Sequence, residues 1–362
     1  MIGDRACERC LARPWLLERL RGHLDLERGR LGAALELPDR ELIAAVAGAE
    51  RGSVSRELDR FDAAGARERC ERAKVEPVCR CDPGYPVRLA DLAAPPAVIH
   101  VAGGLDRFLD LAAGDPVAIV GARRASSYGL EVARSLGRGL GAAGAVVLSG
   151  MALGIDSAAH AGALAAQAPT LAVLPAGADH AYPASRRALH GRIQAAGAAI
   201  SELPPGAEVR RWMFPARNRV IAALALMTVV VEASERSGAL ITAGLAQGLG
   251  RGLGAVPGRV TSPLAAGPNS LLAAGAALVR GAQDVLDRLY GVGVRDGSAA
   301  EHRAELSPDL RRVLDQIAGG RDTAAALERA GHRPEEMLAA VASLELHGYI
   351  RREIGGRFVP LP

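Results

Sequence analysis

The sequence predicts an α/β fold: a doubly wound, mostly parallel sheet with a helical region before it and a winged helix after it. Three observations carry this. From 116 to about 289, short apolar runs, most of them closed by glycine, alternate with Ala/Leu-rich segments of helical length. Strands covered on both faces read as unbroken apolar runs, and parallel strands need crossover helices between them. Residues 1–75 and 305–362 carry helical spacing instead. A chain of 362 residues has room for two or three domains. The expected boundaries are a helical domain at 1–76, an α/β domain at 77–290, a linker at 291–304 and a winged helix at 305–362.

In chain order, LLERLRGHL (16–24) and RELIAAVAG (40–48) place apolar residues at helical spacing, with Pro38-Asp39 starting the second. Residues 77–104 turn extended and proline-rich. The expected strands are PVAIVG (116–121), AVVLSG (145–150), TLAVLPAG (170–177), AAIS (198–201), MTVVVEA (227–233) and GLGAVPG (252–258). GVGVRDGSAAEHRA (291–304) is polar and glycine-containing, as linkers are. Three helical patterns follow, then YIRREIGGRFVP (349–360), where Gly355-Gly356 marks a hairpin turn.

Composition narrows the function. Charged residues are 23% and hydrophobic residues 49%, an ordinary globular balance. The net charge of +4 is compatible with a nucleic-acid partner without requiring one. Lys74 is the sole lysine, so no GxxxxGK[ST] phosphate loop exists, and phosphate recognition falls to arginine and backbone N–H groups. No apolar stretch is long enough for a membrane span, and the charged N-terminus does not read as a signal peptide; a cytoplasmic protein is expected.

Ligands of such sheets sit beyond the carboxyl ends of the strands, where the glycine loops fall. GARRASSYG (121–129) offers Arg123, Arg124, Ser126 and Ser127 beside a helix start, but lacks GxGxxG, and Ser149-Gly150 stands where a ribose-binding acid should end the next strand. A nicotinamide or flavin cofactor is therefore not expected. SGMALGIDSAAH (149–160) sets Gly150 and Gly154 before a helix carrying Asp156 and His160, a pair with no nucleophile to serve. EVRRWMFPARNRVIAALA (208–225) surrounds Trp212 and Phe214 with Arg210, Arg211, Arg217 and Arg219. Arginines take phosphates and rings stack on bases, so this pattern suits single-stranded nucleic acid. VVVEASERSGALITAGLA (229–246) ends a strand at Glu232 and opens a helix at Ser237-Gly238; Glu232 is expected to hold an arginine of a neighbouring loop rather than act as a base. Asn269 follows in GPNSLLAAGA.

Five cysteines all precede residue 82, and a disulfide framework is not expected. Cys7-x-x-Cys10 and Cys79-x-Cys81 form two close pairs. If the N-terminal helices fold back on the segment after them, these four thiols make a tetrahedral zinc site.

With IVGARRASSYG, SGMALGIDSAAH, LPAGADHAYPASRRAL, SELPPG, FPARNRVIAAL, VVVEASERSGALITAGLA, AVPG and GPNSLLAAGA in this order, the chain resembles the DNA-processing protein A family (DprA, also called Smf) over about 77–289. The resemblance implies an extended Rossmann-like domain, a sterile-alpha-motif-like N-terminal region and a C-terminal winged helix. It implies a homodimer, not an enzyme, that binds single-stranded DNA, shields incoming strands in natural transformation and helps load RecA recombinase. By motif it assigns Arg123 to a phosphate, Ser149 and Gly150 to a backbone phosphate site, and Arg211 and Phe214 to a basic and stacking pair. Leu153 stands where that family has arginine, and Ala122 where it has serine. The alternative is a phosphoribohydrolase of the lysine-decarboxylase-like group, but SGALITAGLA (237–246) lacks the acidic residue its PGGxGTxxE loop would need.

Overall fold

The computed structural model describes residues 5–27, 29–296, 306–346, 349–353 and 355–360. Those up to 296 form one compact unit and those from 306 a second. Residues 297–304, most of the expected linker, lie outside the described residues.

The first unit is built on a nine-stranded sheet: β1 (Val75–Cys79), β2 (Val98–Ala102), β3 (Pro116–Val120), β4 (Val146–Ser149), β5 (Thr170–Val173), β6 (Ala198–Ser201), β7 (Met227–Val230), β8 (Gly252–Ala255) and β9 (Ala277–Leu278). Their order is β1-β2-β6-β5-β4-β3-β7-β8-β9. From β6 to β9 every pair is parallel, whereas β1 pairs β2, and β2 pairs β6, antiparallel. The order reverses at β3, whose neighbours are β4 and β7, so the crevice between the loops after β3 and β7 lies at the switch point of the sheet. β3, β4, β5, β6 and β7 are buried throughout, as strands covered on both faces must be.

Six expected strands are present: AAIS (198–201) has its expected bounds, and the other five are shortened because their ends belong to the loops that follow or precede them. β1, β2 and β9 went unread. β1 and β2 lie in the proline-rich stretch, where Pro77 sits on an edge strand that tolerates its missing donor. Helices Ser127–Ala142 and Ile155–Ala165 pack unusually close: a Cβ on Gly137 would lie 2.2 Å from the carbonyl oxygen of Ala159. That contact fixes the loops preceding both helices relative to each other.

The N-terminal helices, beginning with Glu8–Arg19, do not separate from the sheet at residue 76. Their core of Leu16, Leu17, Leu42 and Val54 is continuous with Leu203, Trp212, Met213 and Ala216. The second unit holds helices Pro308–Ala318, Ala324–Arg329 and Pro334–Leu346, then the hairpin β10 (Ile350–Arg352) and β11 (Phe358–Pro360). A bridge between Thr323 and Arg357 ties the hairpin to the start of the second helix.

Candidate nucleic-acid interface

Loops after β3, β4, β5 and β7, together with helix Met213–Leu224, build a crevice at the carboxyl ends of the strands. One cavity of about 300 Å³ is lined by Arg123, Asp156, Phe214, Arg217, Ser237 and Gly238. A broader groove of about 580 Å³ is lined by Arg123, Arg124, Arg134, Arg186 and Arg192, with Leu153 among them. A small cavity of about 90 Å³ adds Tyr182 and again holds Arg123 and Phe214. Arg123 lines all three.

Arg123 is exposed, and its guanidinium lies 4.6 Å from the centre of the Phe214 ring. Phe214 is half-buried and meets Tyr182 in a tilted contact at 5.7 Å. A guanidinium over an aromatic face is held without losing its charge, and its outer N–H groups remain available. Arg124, Arg134 and Arg192 are exposed as well. Arg186 is half-buried, and its Nε–H is enclosed with no acceptor among the described residues. Ser237 caps helix Gly238–Gly248 by accepting from Ala239 N–H, so that helix aims its first N–H groups into the cavity.

Several expected contacts are spent on the fold. Trp212 is 4% exposed, packed against the N-terminal helices, and cannot stack on a base. Arg219 donates both ways to the Glu202 carboxylate (2.5 and 2.6 Å) and to the Ala94 carbonyl. Arg217 is buried and donates to the carbonyls of Gly150 and Val173, each at 2.7 Å, bolting the ends of β4 and β5 together beneath the cavity. Ser149 is buried, its hydroxyl donating to Ile119 O at 2.6 Å. Gly150 lies against Arg217: a Cβ there would sit 1.7 Å from Arg217 Nη1, so glycine is required for the bolt rather than for a ligand. Arg211 is exposed in the turn before Phe214 but lines none of these cavities.

The charge beneath the cavity is internally matched. Burial lowers Arg217 to about 10, and Asp156 opposes the shift. Burial raises the Asp156 carboxyl, and Arg217 opposes that in turn. Asp156 also accepts from Ala152 N–H (3.3 Å), so part of the second loop's backbone already serves an internal anion. His160 is not its partner: Nδ1 meets Thr170 Oγ1 at 2.8 Å, and burial first, then Arg217, brings the ring down to about 3. Glu232 holds the first loop, but through Ser126 rather than an arginine. Its carboxylate accepts from Ser126 N–H (2.8 Å) and Oγ–H (2.5 Å). Asn269 closes its own loop by exchanging two hydrogen bonds with Gly258.

Arg134, Arg186, Arg192 and Tyr182 were not singled out in the sequence. They come from a helix interior, a 3-10 turn, a second helix and a loop, and only the tertiary fold gathers them. The signal available was weak: ADHAYPASRRALHGR (178–192) sets an aromatic residue close before several arginines, but so does YIRREIGGR (349–357).

In sites beyond the crevice, the Sγ atoms of Cys7, Cys10, Cys79 and Cys81 lie within 4.8 Å of one another.

Comparison with known proteins gives a consistent answer. The model of the family described as DNA recombination-mediator protein A matches residues 76–290. A protein named DprA in Mycobacterium tuberculosis is 42% identical over 245 residues, covering 66% of this chain and 63% of that one, so the likeness spans just under two thirds of that relative. Protein Smf of Escherichia coli is 33% identical over 285 residues, covering 75% of this chain and 74% of that one. Among solved structures, DNA processing protein A of Streptococcus pneumoniae superposes with a TM-score of 0.64 at 30% identity, over 78% of this chain and 98% of that one. DNA processing protein A of Helicobacter pylori, whose structure is described as revealing a single-stranded DNA binding mode, gives 0.52 at 30% identity, over 59% and 95%.

Proposed function

The chain belongs to the DNA recombination-mediator protein A family, and on that premise we propose that it binds single-stranded DNA along the crevice and the arginine groove without catalysing a reaction on it. The observation that carries this is Arg123: an exposed guanidinium seated on the Phe214 ring where the cavity and the groove share a wall. A phosphate is met there by a preorganised cation, and the half-buried rings of Phe214 and Tyr182 offer faces to bases. Arg186 lines the same groove and adds a second cation to it. Arg124, Arg134 and Arg192 extend the positive track along which a flexible backbone can run.

In the cell, this reading assigns the protein to the cytoplasm, to protecting incoming strands during natural transformation and to helping load RecA recombinase, acting as a homodimer. The support is the family membership and the names of several relatives, which are DNA processing proteins. Titration of the intact chain against a labelled oligonucleotide, single-stranded in one arm and duplex in the other, tests it. Tighter binding of the single strand, independent of base sequence, is expected. Equal binding of both forms, or none at low salt, overturns it.

A further inference from the structure

The four cysteines Cys7, Cys10, Cys79 and Cys81 lie on the far edge of the sheet from the crevice and belong to no part of the DNA-binding reading. Cys7 caps helix Glu8–Arg19 and Cys10 sits in its first turn. Cys79 is the last residue of the edge strand β1, and Cys81 lies two positions on, after Arg80. A backbone hydrogen bond from Cys79 N–H to Arg5 O, at 2.9 Å, brings the chain before the helix against the end of the strand. Two short motifs some seventy positions apart are thereby delivered to one point.

We propose that these four residues bind a structural zinc ion. All four Sγ atoms lie within 4.8 Å of one another, and Cys10 Sγ and Cys81 Sγ are 3.7 Å apart. Four thiolates around one ion with Zn–S bonds of about 2.3 Å stand roughly 3.8 Å apart, the edge of a regular tetrahedron. Disulfide-bonded sulfurs are about 2.0 Å apart, far closer than the Cys10–Cys81 pair, and all four cysteines are free. The spacing also selects nuclearity: one ion fits between sulfurs this close, whereas an iron–sulfur cluster needs its ligands spread around several metals and bridging sulfides.

The surroundings suit such a site. The Cys10 and Leu11 backbone N–H groups donate to the Cys7 carbonyl (3.1 and 3.0 Å), which fixes the turn that carries Cys7 and Cys10. Backbone held in this way fixes where the ligand side chains start. Cys10 and Cys79 are buried among Ala6, Leu11, Ala97 and Val98, while Cys7 and Cys81 face solvent, so the ion has an apolar floor and an open entry. Arg9 and Arg80, both exposed, flank the ligands in sequence and oppose the negative charge of a tetrathiolate centre. Binding releases the thiol protons to solvent and closes no other chemistry: with four protein ligands the ion keeps no open position, which makes it a clip between the first helix and the sheet edge.

The test is metal analysis of the full chain, expressed with zinc in the medium and purified under reducing conditions without chelator. About one equivalent of zinc per chain is expected. Titration with an organomercurial should release it as Cys7, Cys10, Cys79 and Cys81 react. Cobalt(II) loaded in its place should show the sulfur-to-cobalt charge-transfer bands and the intense visible absorption of a tetrahedral all-thiolate site. Cys81→Ser, at an exposed ligand, should lose most of the metal, and Cys70→Ser, at the buried cysteine outside the cluster, should retain it. Less than roughly a tenth of an equivalent of zinc in the wild type, together with no cobalt spectrum, overturns the proposal. So does iron as the bound metal, or a mass two hydrogens lower per cysteine pair in the reduced preparation. The wild-type readouts stand even if Cys81→Ser fails to fold. None of them depends on DNA, so their failure leaves the DNA-binding reading intact.

Discussion

An arginine can serve a nucleic-acid phosphate only if its guanidinium is free to exchange counterions for it, and the arginines of 208–225 and of the first loop divide on that point. Arg123 is exposed over Phe214, whereas Arg217 is buried under two carbonyls and Asp156. Arg123→Ala should therefore weaken single-strand binding for all sequences and flatten the dependence of log K on log salt by about 0.7, with stability little changed. Phe214→Ala should cost on the order of 1–3 kcal/mol of affinity and leave the slope in place, since stacking releases no ions. Arg217→Ala should do the reverse of Arg123→Ala. It strands the Gly150 and Val173 carbonyls and the Asp156 carboxyl, so urea unfolding should show a loss on the order of 3–5 kcal/mol. A sequence shows which residues are arginine and how they are spaced. It does not show which of them the fold consumes, and that is why Arg217, Arg219 and Trp212 read as ligands while Arg186 and Arg192 did not.

At the scale of the element, the alternation of apolar run, glycine loop and helix made the central strands legible, because burial on both faces leaves no polar alternation to obscure them. β1 and β2 were hidden by prolines and by an antiparallel pairing that no local pattern announces. The C-terminal helix Pro334–Leu346 is informative in the opposite sense. Glu335, Glu336 and Glu345 are exposed on it, and no arginine or lysine lies within it. The hairpin beside it is also balanced: Arg351 faces Glu353 at 3.7 Å, Arg352 faces Glu345 at 3.9 Å and Arg357 faces Asp322 at 2.6 Å. A reader of the major groove needs donors on its recognition helix, and phosphates would repel this one. Residues 305–362 should thus show no sequence-specific retardation of duplex DNA, and a protein contact suits this unit better. A footprint on one duplex sequence over others would contradict that.

The whole molecule joins a neutral scaffold to a positive track. Beneath the crevice Arg217 and Asp156 offset each other, and two histidines buried in the same unit are held neutral. His160 and His100 are both fully enclosed and lowered by burial, to about 3 and about 4. Folded values below the ordinary 6.5 mean that the unfolded chain takes up protons first as pH falls. Stability is then complete above pH 6.5 and is lost from there down toward the folded values, by at most about 1.4 kcal/mol per pH unit for each ring. Urea midpoints at pH 7 and pH 5 should differ in that direction, and the difference should shrink in His160→Gln. The track itself sums over Arg123, Arg124, Arg134, Arg186 and Arg192, gathered from four segments of the chain. If each neutralises one phosphate, the salt dependence of single-strand binding should have a slope of about −3.5, from about −0.7 per phosphate. Arg186→Ala and Arg192→Ala should each remove about one fifth of that slope, although neither lies near the sequence stretch that first suggested DNA. Leu153, exposed in the same groove, gives the complementary test: Leu153→Arg should steepen the slope by about 0.7 and tighten binding, because it adds a cation to a wall already lined with them. A slope near zero in the wild type, or a Leu153→Arg variant that binds no better and keeps the wild-type slope, would place the strand on another face of the protein.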